Sequence, residues 1–435
     1  KNIVLVIASL IFYSWGEPVW VCLLIFSSIL DYTVSLGIEK YRGKKITKLF
    51  IALSVVINLG LLAAFKYSGF FISTLNGIFH LSLHVPTFSL PIGISFYTFQ
   101  TMSYSLDVYK GDVKAQKSFI NFLMFVSLFP QLIAGPIVRY SDIDTQIDHR
   151  TVTIDGFAKG MTRFMAGLGK KVLIANYAGS LAESLLANVD NAAVMSVWVG
   201  VLFYAFQIYF DFYGYSLMAA GLGRMLGFNL PINFMHPYLS TSMTEFWRRW
   251  HITLGQWFQT YIYIPLGGNR TGICKWIRNL LVVWILTGIW HGTEFHFILW
   301  GFSLFVIVLT EKLLLKKLTD RYALAGHLYM AVLIPLSWML FGISDPGSIE
   351  VYIRKLFPFF SADDAIIYVN DFWKNLNDFR FIIPAGFLFS TRLPVRLLKK
   401  IRGSVPEIFV YLAIFWSSVY CIYVGSNDPF LYFRF

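Results

Sequence analysis

Apolar runs of about twenty residues recur along most of this chain, and no other feature restricts its fold as much. Val19–Ile38, Ile46–Ala64, Asn191–Phe212, Leu281–Gly301, His327–Ile343 and Ile408–Val424 each match or approach the length a helix needs to cross the hydrocarbon of a bilayer. In hydrocarbon every backbone N–H and C=O must be bonded inside the protein, so such runs fold as α-helices. Composition agrees: of the 435 residues 57% are hydrophobic and only 14% charged, against about 25% charged in soluble domains. The mean hydropathy is +0.61. The expected fold is therefore all-α, a polytopic integral membrane protein with about ten to twelve transmembrane helices plus short interfacial ones.

The net charge of +12 would suggest nucleic acid in a soluble chain. Here the positive-inside bias explains it, because Lys and Arg collect in cytoplasmic loops. Basic clusters follow three of the runs: Lys40, Arg42, Lys44, Lys45 and Lys48; Lys316, Lys317 and Arg321; and Arg392, Arg396, Lys399, Lys400 and Arg402. Lys159, Arg163, Lys170 and Lys171 lie among apolar residues between Asp155 and Leu186, the pattern of a helix on the cytoplasmic surface. Pro91 and Gly93 interrupt Phe88–Leu106. Phe119–Ile137 carries Pro130, Gln131, Gly135 and Pro136, and irregular backbone at that depth survives only inside protein or along a cavity, so this run reads as an internal wall. Val351–Phe360 and Asp364–Phe379 are too polar for spans. No repeat or linker divides the chain, which reads as one membrane domain over 1–435. Since it starts at Lys1, an N-terminal segment is expected to precede it. Three cysteines without metal-like spacing give disulfides and zinc no support.

Polar groups inside apolar runs are costly, and each is a functional candidate. His291 stands within Leu281–Gly301, between Trp290 and Gly292. A neutral imidazole can accept a proton from a hydroxyl near neutral pH, and Gly292 would let another chain or a substrate approach closely. The alternative is a satisfied contact between helices. A second histidine, His251, lies forty residues upstream in EFWRRWHITLGQWF, too charged a setting to face lipid. Arg248 and Arg249 there could pair with phosphates of a donor or of lipid headgroups, or anchor an interfacial helix. Asp211 closes an apolar run and reads as a partner for a histidine or an arginine, or as a marker of the helix end. His296 follows His291 by five residues, which on an unbroken helix places it on a different face. The remaining histidines fall near loops or interfaces, where solvation is the default.

Other signatures are absent. Gly221-Leu222-Gly223 with Gly227 has neither the strand nor the spacing of a dinucleotide fingerprint, and reads as small residues for close helix packing. Gly214-Tyr215-Ser216-Leu217-Met218 lacks the second glycine of a nucleophile elbow. Without an evident covalent nucleophile, general-base catalysis by histidine is favoured.

Together FDFYG (210–214), NFMHPYLSTSMTEFWRRWHITLGQWF, YIYIPLGGNR and IWHGTEFHFILWG resemble the membrane-bound O-acyltransferase family, and FPQLIAGPIVRYSDI and FYSWGEP point to its bacterial branch that includes the alginate O-acetylation membrane subunit. The resemblance covers nearly the whole chain. It implies a ring of helices around a central tunnel, with the family's catalytic histidine falling on His291 and its second histidine on His251. Many members of this branch carry an aspartate where Leu217 stands, and D-alanyl-transferring relatives look similar to this chain at that point.

The resulting expectation is an O-acyltransferase of the bacterial inner membrane that uses an acyl thioester such as acetyl-CoA as co-substrate, with no bound cofactor or metal. It would O-acylate a cell-envelope or secreted polysaccharide, directly or through a periplasmic partner. His291 and His251 would be catalytic, with Asp211, Arg248, Arg249, Trp290 and Gly292 in support. A D-alanyl transferase fed by an acyl carrier protein and a membrane transporter or flippase are the alternatives.

Overall fold

The structure, a computed structural model, describes residues 1–435 apart from 134, 316–318, 320, 360–368 and 426–435. Lys316 and Lys317, Phe360 and the stretch 364–368 therefore lie outside the described residues. Every element among the described residues is helical: α1 (Asn2–Gly16), α2 (Val21–Lys40), α3 (Ile46–Leu62), α4 (Ser68–Phe79), α5 (Ile94–Lys110), α6 (Phe119–Ser127), α7 (Phe129–Leu132), α8 (Tyr140–Asp148), α9 (Ile154–Gly169), α10 (Asn176–Leu186) and α11 (Val194–Met225) come first. They are followed by α12 (Met243–Arg249), α13 (Ile252–Phe258), α14 (Ile273–His291), α15 (Phe295–Thr310), α16 (Ala323–Gly342), α17 (Pro346–Leu356), α18 (Val369–Asp378), α19 (Ile382–Ser390), α20 (Leu393–Lys400) and α21 (Val405–Val424), with short 3-10 and π segments between some of them.

Among the described residues seven helices are long and apolar enough to cross a membrane: Val21–Lys40, Ile46–Phe79, Val194–Met225, Ile273–His291, Phe295–Leu315, Ala323–Gly342 and Val405–Val424. This is a multi-pass membrane protein. Asn2–Gly16 is a shorter apolar helix, and several other apolar runs do not fold as single helices or merge with a neighbour. Phe119–Ile137 breaks after Ser127 into the four-residue α7, and Ile94–Lys110 starts only after Gly93. Conversely, α11 runs 32 residues straight through Gly214, joining two segments that the sequence separates. Ile46–Phe79 likewise continues through a π segment (Ala63–Tyr67) where a span ending near Ala64 was expected.

The chain forms two compact units, Lys1–Met161 with Ala219–Ile232, and Thr162–Met218 with Asn233–Phe435. In the first, α2, α3 and α5 pack around a buried carboxylate. Asp31 accepts hydrogen bonds from the Ser54 hydroxyl, from Ser105 Oγ at 2.7 Å and from Asn58 Nδ2 at 2.7 Å. These hydroxyl and amide donors satisfy an anion that apolar neighbours could not. The irregular α6–α7 stretch is held inside this unit: Gln131 is buried and donates Nε2 to the Phe125 carbonyl at 2.6 Å. Here backbone breaks are tolerated because protein surrounds them. Gly93, at φ 78°, supplies the left-handed turn that starts α5, and a Cβ there would come 2.7 Å from the Leu132 carbonyl.

In the second unit α14 and α15 form a tight hairpin. A Cβ on Gly288 would fall 2.3 Å from the Phe297 carbonyl, and one on Gly301 2.5 Å from the Trp284 carbonyl, so backbone meets backbone along this contact. The small residues of α11 serve the same purpose. Gly214 lies against Gly167 of α9, with a Cβ only 2.7 Å from its carbonyl.

Candidate active site

The run Leu281–Gly301 is not one helix. It ends as α14 at His291, passes through Gly292 in an extended conformation (φ −164°, ψ 173°), and restarts as α15 at Phe295. His291 is thus the last residue of a helix, and His296 belongs to the next one, where its Nδ1 lies 3.3 Å from Glu294. The neighbour that uses the space at Gly292 is the Phe297 ring: a Cβ would sit 1.9 Å from its Cε2.

At His291 the ring Nδ1 lies 2.7 Å from the Thr287 carbonyl. A carbonyl only accepts, so Nδ1 carries the proton and Nε2 carries the lone pair. The second-unit rings of Trp290, Trp300 and Phe341 surround this imidazole at 4.9, 5.0 and 5.5 Å between centroids.

His251 is built differently. It sits between α12 and α13 in the left-handed region, at φ 42° and ψ 53°. A non-glycine residue held there costs about 1–3 kcal/mol and needs its surroundings to enforce it. They do: Met235 N–H bonds the Arg249 carbonyl at 2.9 Å and Ile252 N–H bonds the Asn233 carbonyl at 3.0 Å, clamping the backbone on both sides. The buried Asn233 side chain completes the clamp. Its Oδ1 accepts from Thr253 N at 3.3 Å and Thr253 Oγ1 at 3.0 Å, which fixes the amide orientation, and Nδ2 reaches Ser216 Oγ at 3.2 Å. His251 Nδ1, 3.1 Å from the same Oδ1, must therefore donate. Its Nε2 is left as a buried acceptor with no partner. Burial, and secondarily the nearby His291 imidazole, hold His251 well below the usual histidine range, so it stays neutral.

The two histidines share a wall. The Trp290 indole stands 4.9 Å from the His291 ring and 6.1 Å from the His251 ring. Phe212 meets His251 edge-on at 4.8 Å. Phe212 and Ser216 are about one turn apart on α11, the first packing on His251 and the second accepting from its partner Asn233. Asp211, one residue earlier, forms an ion pair with Lys171 Nζ at 2.7 Å, almost fully shielded from solvent. The sequence allowed a histidine or arginine partner or a helix-end marker; the structure pairs Asp211 with a lysine.

Of the two arginines, Arg249 is engaged locally, with Nη2 2.5 Å from Glu245 and Nη1 3.5 Å from the His236 carbonyl. Arg248 is exposed and has no ion-pair partner among the described residues. It lines a cavity of about 470 Å³ whose wall also includes His251, Thr287, Gln256, Trp247 and Lys312. The cavity thus offers apolar walls and His251, with cationic side chains in its lining. Asn233, Thr287 and Lys171 were missed from sequence. Nothing local marks them, since their roles arise from segments 18 or more residues away or from a backbone carbonyl.

The defining pattern of the membrane-bound O-acyltransferase family matches residues 113–344, a stretch that contains both histidines. The chain is 35% identical over 475 aligned positions to the "Probable alginate O-acetylase AlgI" of Pseudomonas putida, covering all of this chain and 94% of that one. The chain belongs to the membrane-bound O-acyltransferase family. It is also 45% identical over 306 residues to the protein of the same name from Pseudomonas aeruginosa, and 36% identical over 324 residues to the "Peptidoglycan O-acetyltransferase" of Helicobacter pylori. Those matches take in 69% and 68% of this chain, and span 59% and 62% of the relatives' length. Of the two imidazoles, His251 lines the cavity, and His291 stands on the other side of the Trp290 indole from it.

Proposed function

We propose that this protein is an O-acyltransferase of the bacterial inner membrane that moves an acyl group, acetyl in the simplest case, from a thioester onto a hydroxyl of a cell-envelope polysaccharide. The donor is acetyl-CoA or an acylated carrier protein on the cytoplasmic side; the acceptor is the polysaccharide itself or a serine of a periplasmic partner. Relatives bearing the names of alginate and peptidoglycan O-acetylating proteins support the substrate class.

The observation that carries the chemistry is the tautomer at His291, where the Nδ1–H bond to the Thr287 carbonyl leaves the lone pair on Nε2. In the proposed step Nε2 removes the proton of the attacking hydroxyl as its oxygen bonds to the thioester carbon. The tetrahedral adduct then collapses, the carbon–sulfur bond breaks, and the imidazolium returns the proton to the departing thiolate. Aromatic walls keep water from competing for the thioester. His251, with its unpartnered Nε2, orients the donor or shares the proton, and Arg248 binds anionic groups of the donor.

The test uses the protein in lipid nanodiscs with acetyl-CoA labelled on the acetyl group. His291→Gln keeps a donor for the Thr287 carbonyl but has no basic nitrogen, and it is expected to lower label transfer by about 10²–10⁴-fold. Transfer at the wild-type rate by folded His291→Gln would refute the assignment.

A further inference from the structure

The short helix α12 delivers the cavity arginine and, through Trp250, the strained His251. Seven residues are too few for a helix to hold itself together, because nucleation consumes most of what so short a segment gains. Its first-turn N–H groups have no intrahelical acceptors and need partners from elsewhere.

One partner is local: Ser242 Oγ accepts from Glu245 N at 3.1 Å. The other comes from 67 residues away. Glu311 is buried at 3% exposure, and its carboxylate accepts the N–H of Met243, the N–H of Thr244 at 3.0 Å and the Thr244 hydroxyl at 3.0 Å. The Tyr329 hydroxyl bonds the same carboxylate. Glu311 begins the π segment (Glu311–Leu315) that ends α15. The opposite end of α15 is Phe297, whose ring fills the space left at Gly292 beside His291. One helix, about 21 Å from Phe297 to Glu311, thus touches the support of both histidines.

We propose that Glu311 is a positioning residue for the acyl-transfer site: through the first turn of α12 it sets where His251 stands, and α15 holds that segment in register with the turn that carries His291. This rests on the acyltransferase reading above. The side chain reaches neither histidine itself, and acts on His251 through the backbone from Met243 to Trp250.

The primary variant is Glu311→Gln, which conserves volume but offers one acceptor oxygen in place of two; Thr244→Val, which removes one of the same bonds, serves if that variant does not fold. In nanodiscs, backbone amides of 243–252 are expected to exchange with deuterium about tenfold faster than in wild type, with α14 and α16 unchanged. Label transfer from acetyl-CoA should fall about 100-fold, the cost of displacing a catalytic group by roughly an ångström. In a His251→Gln background the same substitution should cost no more than about twofold, since residues acting through one another are not additive.

Unchanged exchange at 243–252, exchange raised throughout the unit, or a full 100-fold loss in the His251→Gln background would each overturn the proposal. A wild-type protein that transfers no label would instead count against the acyltransferase reading. The exchange pattern decides the anchoring by itself wherever turnover is too low to follow.

Discussion

Substituting alanine for Gly292 tests whether the turn after His291 is set by steric fit. The added Cβ would stand 1.9 Å from Phe297 Cε2 and 2.1 Å from Cδ2, whereas ordinary contact begins near 3.4 Å. Ring and turn must therefore separate by about 1.5 Å. The ring has little room to yield, being 3% exposed and packed on His296 at 4.0 Å and Phe341 at 5.2 Å. Part of the movement must then fall on Gly292, and with it on His291. Overpacking of this kind costs about 1–3 kcal/mol, and an ångström of misplacement at a catalytic group about 100-fold in rate. The expected outcome is a lowered melting temperature and label transfer down by about two orders of magnitude. Phe297→Leu, which withdraws the clashing ring edge, should restore most of the rate in the Gly292→Ala background. Gly292→Ala with wild-type turnover, or a Phe297→Leu substitution that gives nothing back, would refute the reasoning.

Lys171→Met removes the cation 2.7 Å from the buried Asp211 carboxylate and is expected to cost about 3–5 kcal/mol in chemical denaturation, most of it recovered by Lys171→Met with Asp211→Leu. Asn233→Leu removes the acceptor of His251 Nδ1 and of Thr253, and should destabilise the protein by about 1–3 kcal/mol while sharply lowering transfer. Because the folded pKa of His251 lies below its unfolded value, unfolding takes up a proton between the two. Stability should thus rise with pH from that depressed value to the ordinary range near 6.5. Melting curves across acidic pH should show that slope, and His251→Asn, which tolerates the left-handed backbone, should reduce it by the His251 share. Arg248→Ala should raise the KM for acetyl-CoA by about tenfold with little change in kcat, as expected for loss of one charge-assisted contact.

Much of this arrangement is legible in the residues. Apolar length and scarce charge require membrane helices, because backbone groups in hydrocarbon have no other means of satisfaction. Histidines among tryptophans mark the candidate site, since such placement is costly without use. Gly221 and Gly223 point to close helix packing, and Gly160 of α9, where a Cβ would come 2.6 Å from the Gly221 carbonyl, makes that contact. What periodicity could not locate is where apolar runs break. Leu281–Gly301 reads as one span until Phe297 folds back onto Gly292, and the length criterion has no access to a contact of that kind.

By itself, then, the sequence determined the solvent, the helical class and the two imidazoles, all properties of residue type and local spacing. Only the tertiary structure decided which nitrogen of each ring is basic, because that depends on acceptors the ring must find: a carbonyl one turn back for His291, and an asparagine 18 residues away for His251. It also decided that Asp211 pairs with Lys171 and that Glu311 holds α12. Hydrogen bonds between distant segments leave no period in a sequence. They form only once packing has brought their donors and acceptors within about 3 Å.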